Sequence, residues 1–193
     1  MTNRNFDALR EAMIDSQLRT SGINDPAVLA AFRKVAREHY VPEALRALAY
    51  IDRPIELGDG RALNPPETVG HLISEVLPRH GDLVLVVGMA CDYTAALLRA
   101  MGAEVDVAAP DILPDHAAHY DVIIIDGALP ELPGRIVELL KSGGRLAMAL
   151  TVNSVTHIMR GSKSAGGFGM IPVADIDAIP LPVPDPKPRF VFA

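Results

Sequence analysis

Leu83–Tyr93, LVLVVGMACDY, is an apolar run that ends in one glycine and passes at once into helix-forming residues. A strand that turns into a helix this way brings backbone N–H groups to a ligand's phosphate or carboxylate, and glycines let the ligand come close. Here Gly88 makes the turn, but Ala90 adds a methyl group where a ligand would approach. Asp92 puts a negative charge at the helix start, where it is expected to cap the helix and to repel an anionic group. A bound ribose calls for an acid about twenty residues later, at the end of the next strand. That place holds Ala109, with Asp111 two residues on, behind Pro110. The loop therefore reads either as a cofactor loop or as a strand and capped helix that hold no ligand.

Other reactive side chains are few. Asp126 ends the very apolar run VIIID, a good position for a site residue and equally for one that braces a turn. Cys91, the only cysteine, sits beside Asp92 with no obvious histidine partner, so a small buried thiol is expected rather than a nucleophile. The six histidines show no metal-ligand spacing, and His116 and His119 fall in a short surface connection, so no metal is expected.

The elements that position these residues follow from periodicity. Residues 6–20 and 26–40 predict helices, the second opened by Asp25 and Pro26, and 43–50 a short third; RKVARE within the second reads as a solvated face. Gly58, Asp59 and Gly60 mark a turn or hairpin, and 67–77 a helix. Strands at 83–87, 103–109, 120–128 and 145–152 then alternate with helices at 92–102 and 133–143, the last closed by Gly143 and Gly144. Strands apolar on both faces between helices predict an α/β, doubly wound parallel sheet. SVTHIMRGS and RFVFA are candidate late strands, and the prolines from Pro172 to Pro188 predict an irregular ending.

The bulk numbers fit one domain: 193 residues, 49% hydrophobic and 22% charged. Its parts are a helical cap (1–50), a loop region (51–80), an α/β core (81–152) and C-terminal strands with a proline-rich segment (153–193). A net charge of −6 without a basic run excludes the electrostatic footprint of nucleic-acid binding. No apolar run is long enough for a membrane span, and neither a signal peptide nor a cysteine pair is visible, so a cytoplasmic location is expected.

The strings MIDSQLRTSGI, VAREHYVPEALRALAYIDRPIELGDG and LLKSGGRL resemble the protein-L-isoaspartate O-methyltransferase family over nearly the whole chain, with an ending like that of a divergent bacterial branch. The resemblance implies a Rossmann-like S-adenosylmethionine-dependent methyltransferase sheet, here shortened, with a helical N-terminal extension. It also implies methyl transfer to the α-carboxylate of an isoaspartyl residue in damaged proteins, where alignment of the reactants dominates. The family's cofactor motif, like E-I-G-T-G-S-G-Y, falls on Val86–Tyr93, where two glycines and the leading acid are gone. Gly88, Ala90, Asp92, Tyr93, Ala109, Asp111 and Asp126 would be its vestigial cofactor positions. The substrate loop, like G-x-G-Q-T-I-S-Q-P, falls on Gly58–Pro66, so its hydroxyl residues become Ala62 and Asn64.

The family carries about thirty more residues between the second strand and YDVIIID, where only PDILPDHAAH stands here. A parallel crossover with its helix needs at least about 10–12 residues, so one strand and its helix are expected to be missing. Losses of about 1–2 kcal/mol at each of these places would weaken binding by several orders of magnitude. The resulting expectation is a family member with lost or strongly impaired cofactor binding and methyl transfer. An active carboxyl methyltransferase with a rebuilt pocket, and a scaffold or small-ligand-binding protein on the same fold, are the alternatives. An isoaspartyl protein or peptide is the expected partner if active, and a homodimer could form along the exposed sheet edge.

Overall fold

Asp25 shows how directly local chemistry sets these elements. Its side chain accepts from the backbone N–H groups of Ala27 and Val28 at 2.9 and 3.1 Å, with Pro26 in the first turn, and so opens helix α2 (Pro26–Lys34). Before it, α1 (Asn3–Met13) runs into one π-helical turn over Ile14–Leu18, so the helix expected over 6–20 changes hydrogen-bond pattern midway. The computed structural model describes residues 3–182.

The second helix stops at Lys34, short of the predicted Tyr40, and Arg37–Tyr40 form a 3-10 turn. The tighter turn swings Arg37 and Glu38 inward, to 0% and 3% exposure, which corrects the reading of RKVARE as a wholly solvated face. Arg10 of α1 donates to the Tyr50 hydroxyl at 2.8 Å and pairs with Glu38 at 3.1 Å, and Tyr50 also donates to Glu38. The predicted third helix is likewise a 3-10 segment, Glu43–Leu48.

Strands β1 (Ile55–Gly58) and β2 (Arg61–Leu63) form a small hairpin about Gly58, Asp59 and Gly60, all at positive φ. Helix α3 (Pro66–Val76) follows, then β3 (Leu83–Val87), α4 (Asp92–Ala100), β4 (Glu104–Ala108), β5 (Tyr120–Leu129), α5 (Gly134–Leu139), β6 (Leu140–Val152), β7 (Val155–Ser164) and β8 (Gly167–Asp175). The main sheet has the order β4-β3-β5-β6-β7-β8. Its first four strands are parallel, but β6, β7 and β8 form an antiparallel meander, so the sheet is mixed rather than wholly parallel. Asn153 and Ser154, both at positive φ, close a two-residue hairpin turn that leaves no room for a crossover helix.

β8 runs through Pro172, where an irregular ending was expected. It is an edge strand, and a proline is tolerated where no neighbour needs its N–H. The expected strand RFVFA and the last prolines lie outside the described residues. Helix α5 ends at Leu139, before the expected Gly143, because Leu140 already pairs with Tyr120 ahead of a register shift.

Two apolar layers sandwich the sheet. Val84, Val86 and Ile124 pack with α3, α4 and the N-terminal helices, while Leu85, Val87, Ile123 and Ile125 pack with Ile136 and Leu139 of α5. Burial on both faces explains the unbroken apolar runs of β3 and β5. Residues 109–119 join β4 to β5 with no helix or strand, and β4 is the sheet's outer strand. That edge is blunted: Arg99 donates to the Val105 carbonyl at 2.7 Å, and Glu104 and Asp106 stand exposed along it.

Candidate functional site

Ligands of open α/β sheets sit beyond the carboxyl ends of the strands, which here are the ends of β3, β4 and β5. Gly88 leaves β3 with its N–H donated to the Ala108 carbonyl at 3.0 Å. A Cβ on Gly88 would lie 3.0 Å from both the Asp126 carbonyl and the Cys91 sulfur, so a side chain here would press on both. The loop then enters α4 with Cys91 at the N-cap position, where its side chain makes no capping bond. Asp92 is the first helical residue and exposed, which corrects its expected role as the cap. Its charge still stands at the helix start. The cavity between this loop and the end of β4 measures about 170 Å³ and is lined by Gly88–Asp92 and Val107–Ala109.

Behind the loop lies a buried polar network. Asp126, 6% exposed, accepts from Asn64 Nδ2 at 2.8 Å and from the Thr94 hydroxyl at 2.6 Å, which engages both carboxylate oxygens. Asn64 Oδ1 in turn accepts from the Ile179 backbone N–H at 2.9 Å. Ile179 belongs to a segment that crosses the end of β5, held by bonds from Ala128 to Ile179 and from Leu181 to Ala128. Thr68 adds a bond to the Asp177 carbonyl at 2.6 Å.

Arg37 stands on the other side of Asn64, fully buried. It donates to the Asn64 and Ala49 carbonyls at 2.6 and 2.7 Å, and its guanidinium lies 4.8 Å from the centre of the Tyr93 ring. Burial pushes the Asp126 carboxyl above its ordinary range, against the pull of Thr94, Asn64 and Arg37. Burial likewise lowers Arg37, against the pull of Tyr93 and Asp126. Hydrogen bonds to both carboxylate oxygens of Asp126 and from Nε and Nη2 of Arg37 offset part of the cost of holding these groups away from water. Arg37 and Thr94 were not singled out from sequence; with the helix read through Tyr40, Arg37 fell on its solvated face, and only the helix end at Lys34 turns it inward.

The remaining candidates are dispersed. Ala62 pairs with Glu56 inside the β1–β2 hairpin, so it is scaffold in this geometry. Tyr93 is buried, with its hydroxyl pushed up to about 12 by burial. Ala109 borders the small cavity, while Asp111 is exposed beyond Pro110. Cys91 is buried, and its thiol is pushed well up by burial and by the nearby Asp126 and Asp92. No group of three metal-ligating side chains is found among the described residues, and no described helix is long and apolar enough to cross a membrane.

Comparison with known proteins places the chain and its fold. Residues 8–109 match the family description protein-L-isoaspartate(D-aspartate) O-methyltransferase. A protein-L-isoaspartate O-methyltransferase of Methanoculleus marisnigri is 31% identical over 201 residues, covering 89% of this chain and 90% of that protein. The protein-L-isoaspartate O-methyltransferase 1 of Rhodopseudomonas palustris is 31% identical over 91% of this chain and 84% of its own length. Among solved structures, a protein-L-isoaspartate O-methyltransferase from Plasmodium falciparum in complex with S-adenosyl-L-homocysteine superposes with a TM-score of 0.71. At 17% identity it covers 92% of this chain and 98% of its own, and it shows the shared fold.

Proposed function

Because the chain belongs to the protein-L-isoaspartate O-methyltransferase family, we propose that it keeps the family's scaffold but has lost, or strongly weakened, S-adenosylmethionine binding and methyl transfer. In this family the cofactor supplies a sulfonium methyl group to a carboxylate oxygen. The observation that carries the proposal is the crevice itself. Its cavity of about 170 Å³ falls below the roughly 300 Å³ at the lower end of small-molecule sites. The residues around it do not fit the cofactor either. Ala90 narrows the approach, Asp92 opposes the cofactor's carboxylate at the helix start, and Ala109 offers a ribose nothing.

Asp126 supports the same reading, because Thr94 and Asn64 each hold one of its oxygens and the group is buried away from an incoming ribose. Asn64, at the place of a substrate-loop hydroxyl, holds Asp126 to Ile179 and so acts as a brace. No transfer step is assigned to these side chains. Calorimetric titration of the full chain with S-adenosylmethionine and with S-adenosylhomocysteine tests the proposal. The expected result is no saturable binding below about 1 mM, and micromolar affinity for either would overturn it.

A further inference from the structure

A larger cleft lies on the other side of the Gly88–Asp92 loop. It measures about 580 Å³ and runs along the outer face of α4 beneath the β1–β2 hairpin. It shares Ala90 and Asp92 with the small crevice, and its other lining residues belong to it alone. One part of its wall is apolar and aromatic, built from Val41, Leu57, Leu63 and Ala96 with Tyr40 packed 5.4 Å from the buried Tyr93 ring, and the rest is polar.

Two cations line this wall without a carboxylate. Arg10, Arg19, Arg33, Arg135, Arg145 and Arg160 each hold a carboxylate, while the exposed Arg46, Arg53 and Arg79 hold none among the described residues but lie outside the cleft. Arg61 and Arg99, both exposed and both lining the cleft, have no carboxylate partner among the described residues. Arg61 makes no side-chain hydrogen bond there either, and Arg99 commits one nitrogen to the Val105 carbonyl. His39 stands beside them, and Asp92 is the one acid on the wall. A chain of net charge −6 has carboxylates in excess, so two guanidiniums without a carboxylate on the lining of one cleft mark a local reversal of charge.

We propose that this cleft binds a small anionic ligand with a planar apolar body, either a phosphate monoester or a carboxylate carried on an aromatic ring system. Arg61 and Arg99 take the anion from two sides, since a guanidinium presents a fork matched to carboxylate and phosphate oxygens. Tyr40 and the aliphatic side chains receive the ring. Asp92 disfavours a ligand with charge spread over its whole length and sets the anion toward the arginines. The cleft shares Ala90 and Asp92 with the crevice but not its arginines, so Arg61→Ala and Arg99→Ala distinguish its ligand from cofactor binding.

Titration of the full-length protein at low salt with adenosine monophosphate, and separately with indole-3-acetate, tests this. Saturable one-to-one binding of either is expected, and which one binds assigns phosphate or carboxylate. Arg61→Ala and Arg99→Ala should each weaken that binding about tenfold or more, the loss of one charge-assisted contact, with Arg61→Lys recovering part of it. Asp92→Asn should tighten it. Both arginines are exposed, so the variants should keep the wild-type circular dichroism. No binding of either probe up to about 5 mM, or binding indifferent to both arginine changes, would overturn the assignment. So would binding restricted to an aspartate-rich peptide, which would make the cleft a protein-docking groove.

Discussion

Replacing Asn64 with alanine tests whether this residue braces the end of β5. Asn64→Ala removes the bond to Asp126, 2.8 Å, and the bond from the Ile179 N–H, 2.9 Å, while leaving the Arg37 bond to its backbone carbonyl. A hydrogen bond to a buried charged group is worth about 1.5–3 kcal/mol, and a stranded N–H costs about 1 kcal/mol more. The loss should therefore reach about 2.5–4 kcal/mol. For a chain of this length each kcal/mol lowers Tm by about 2–4 °C, so a fall of roughly 10 °C is expected. Denaturant and thermal unfolding followed by circular dichroism measure it. A cycle with Asp126→Ala should show a coupling of about 1 kcal/mol or more, because the two changes remove a shared contact. A loss below about 1 kcal/mol, or additive effects, would refute the reasoning.

Further consequences concern nearby groups. Gly88→Ala sets a Cβ 3.0 Å from the Asp126 carbonyl and the Cys91 sulfur, and should cost about 1–3 kcal/mol in chemical denaturation; a neutral effect would show that the loop yields. Cys91, buried and with its thiol pushed up, should resist a disulfide reagent in the native protein and react at once on unfolding. Partial shielding from water and the neighbouring Glu67 raise Asp52, although it still stands at the surface, to about 6, so the fold holds that proton more tightly than the unfolded chain. This favours the native state at low pH, and the advantage is lost as pH rises from about 4 to about 6. Asp52→Asn should accordingly be more stable than wild type at pH 7 and not at pH 4. The gain should be at most about 1 kcal/mol, because Asp52 is exposed and screened.

Much of the architecture is legible in the chain because it is local. Asp25 followed by Pro26 announces α2, the Gly58–Gly60 turn the hairpin, and the apolar runs at 83–87 and 120–128 the two central strands. The meander was less legible: β8 carries glycines and a proline, and its exposed face gives little apolar alternation to read. Even the position of the crevice follows, since strand ends and a turn glycine are sequence features.

What the chain left open needed contacts between distant residues. Asn64 meets Asp126 across 62 positions and Ile179 across 115, and no periodicity can encode that pairing. The inward turn of Arg37 depended on a helix ending at Lys34 and on Tyr93 waiting beneath it. Sequence alone thus determined which elements form and where a ligand would have to sit, because turns, caps and alternation act within a few residues. Only the tertiary structure decided that the crevice is small, that Asp126 and Asn64 are committed to each other, and that Arg61 and Arg99 share a cleft. Those outcomes depend on the space and charge left once distant segments have packed.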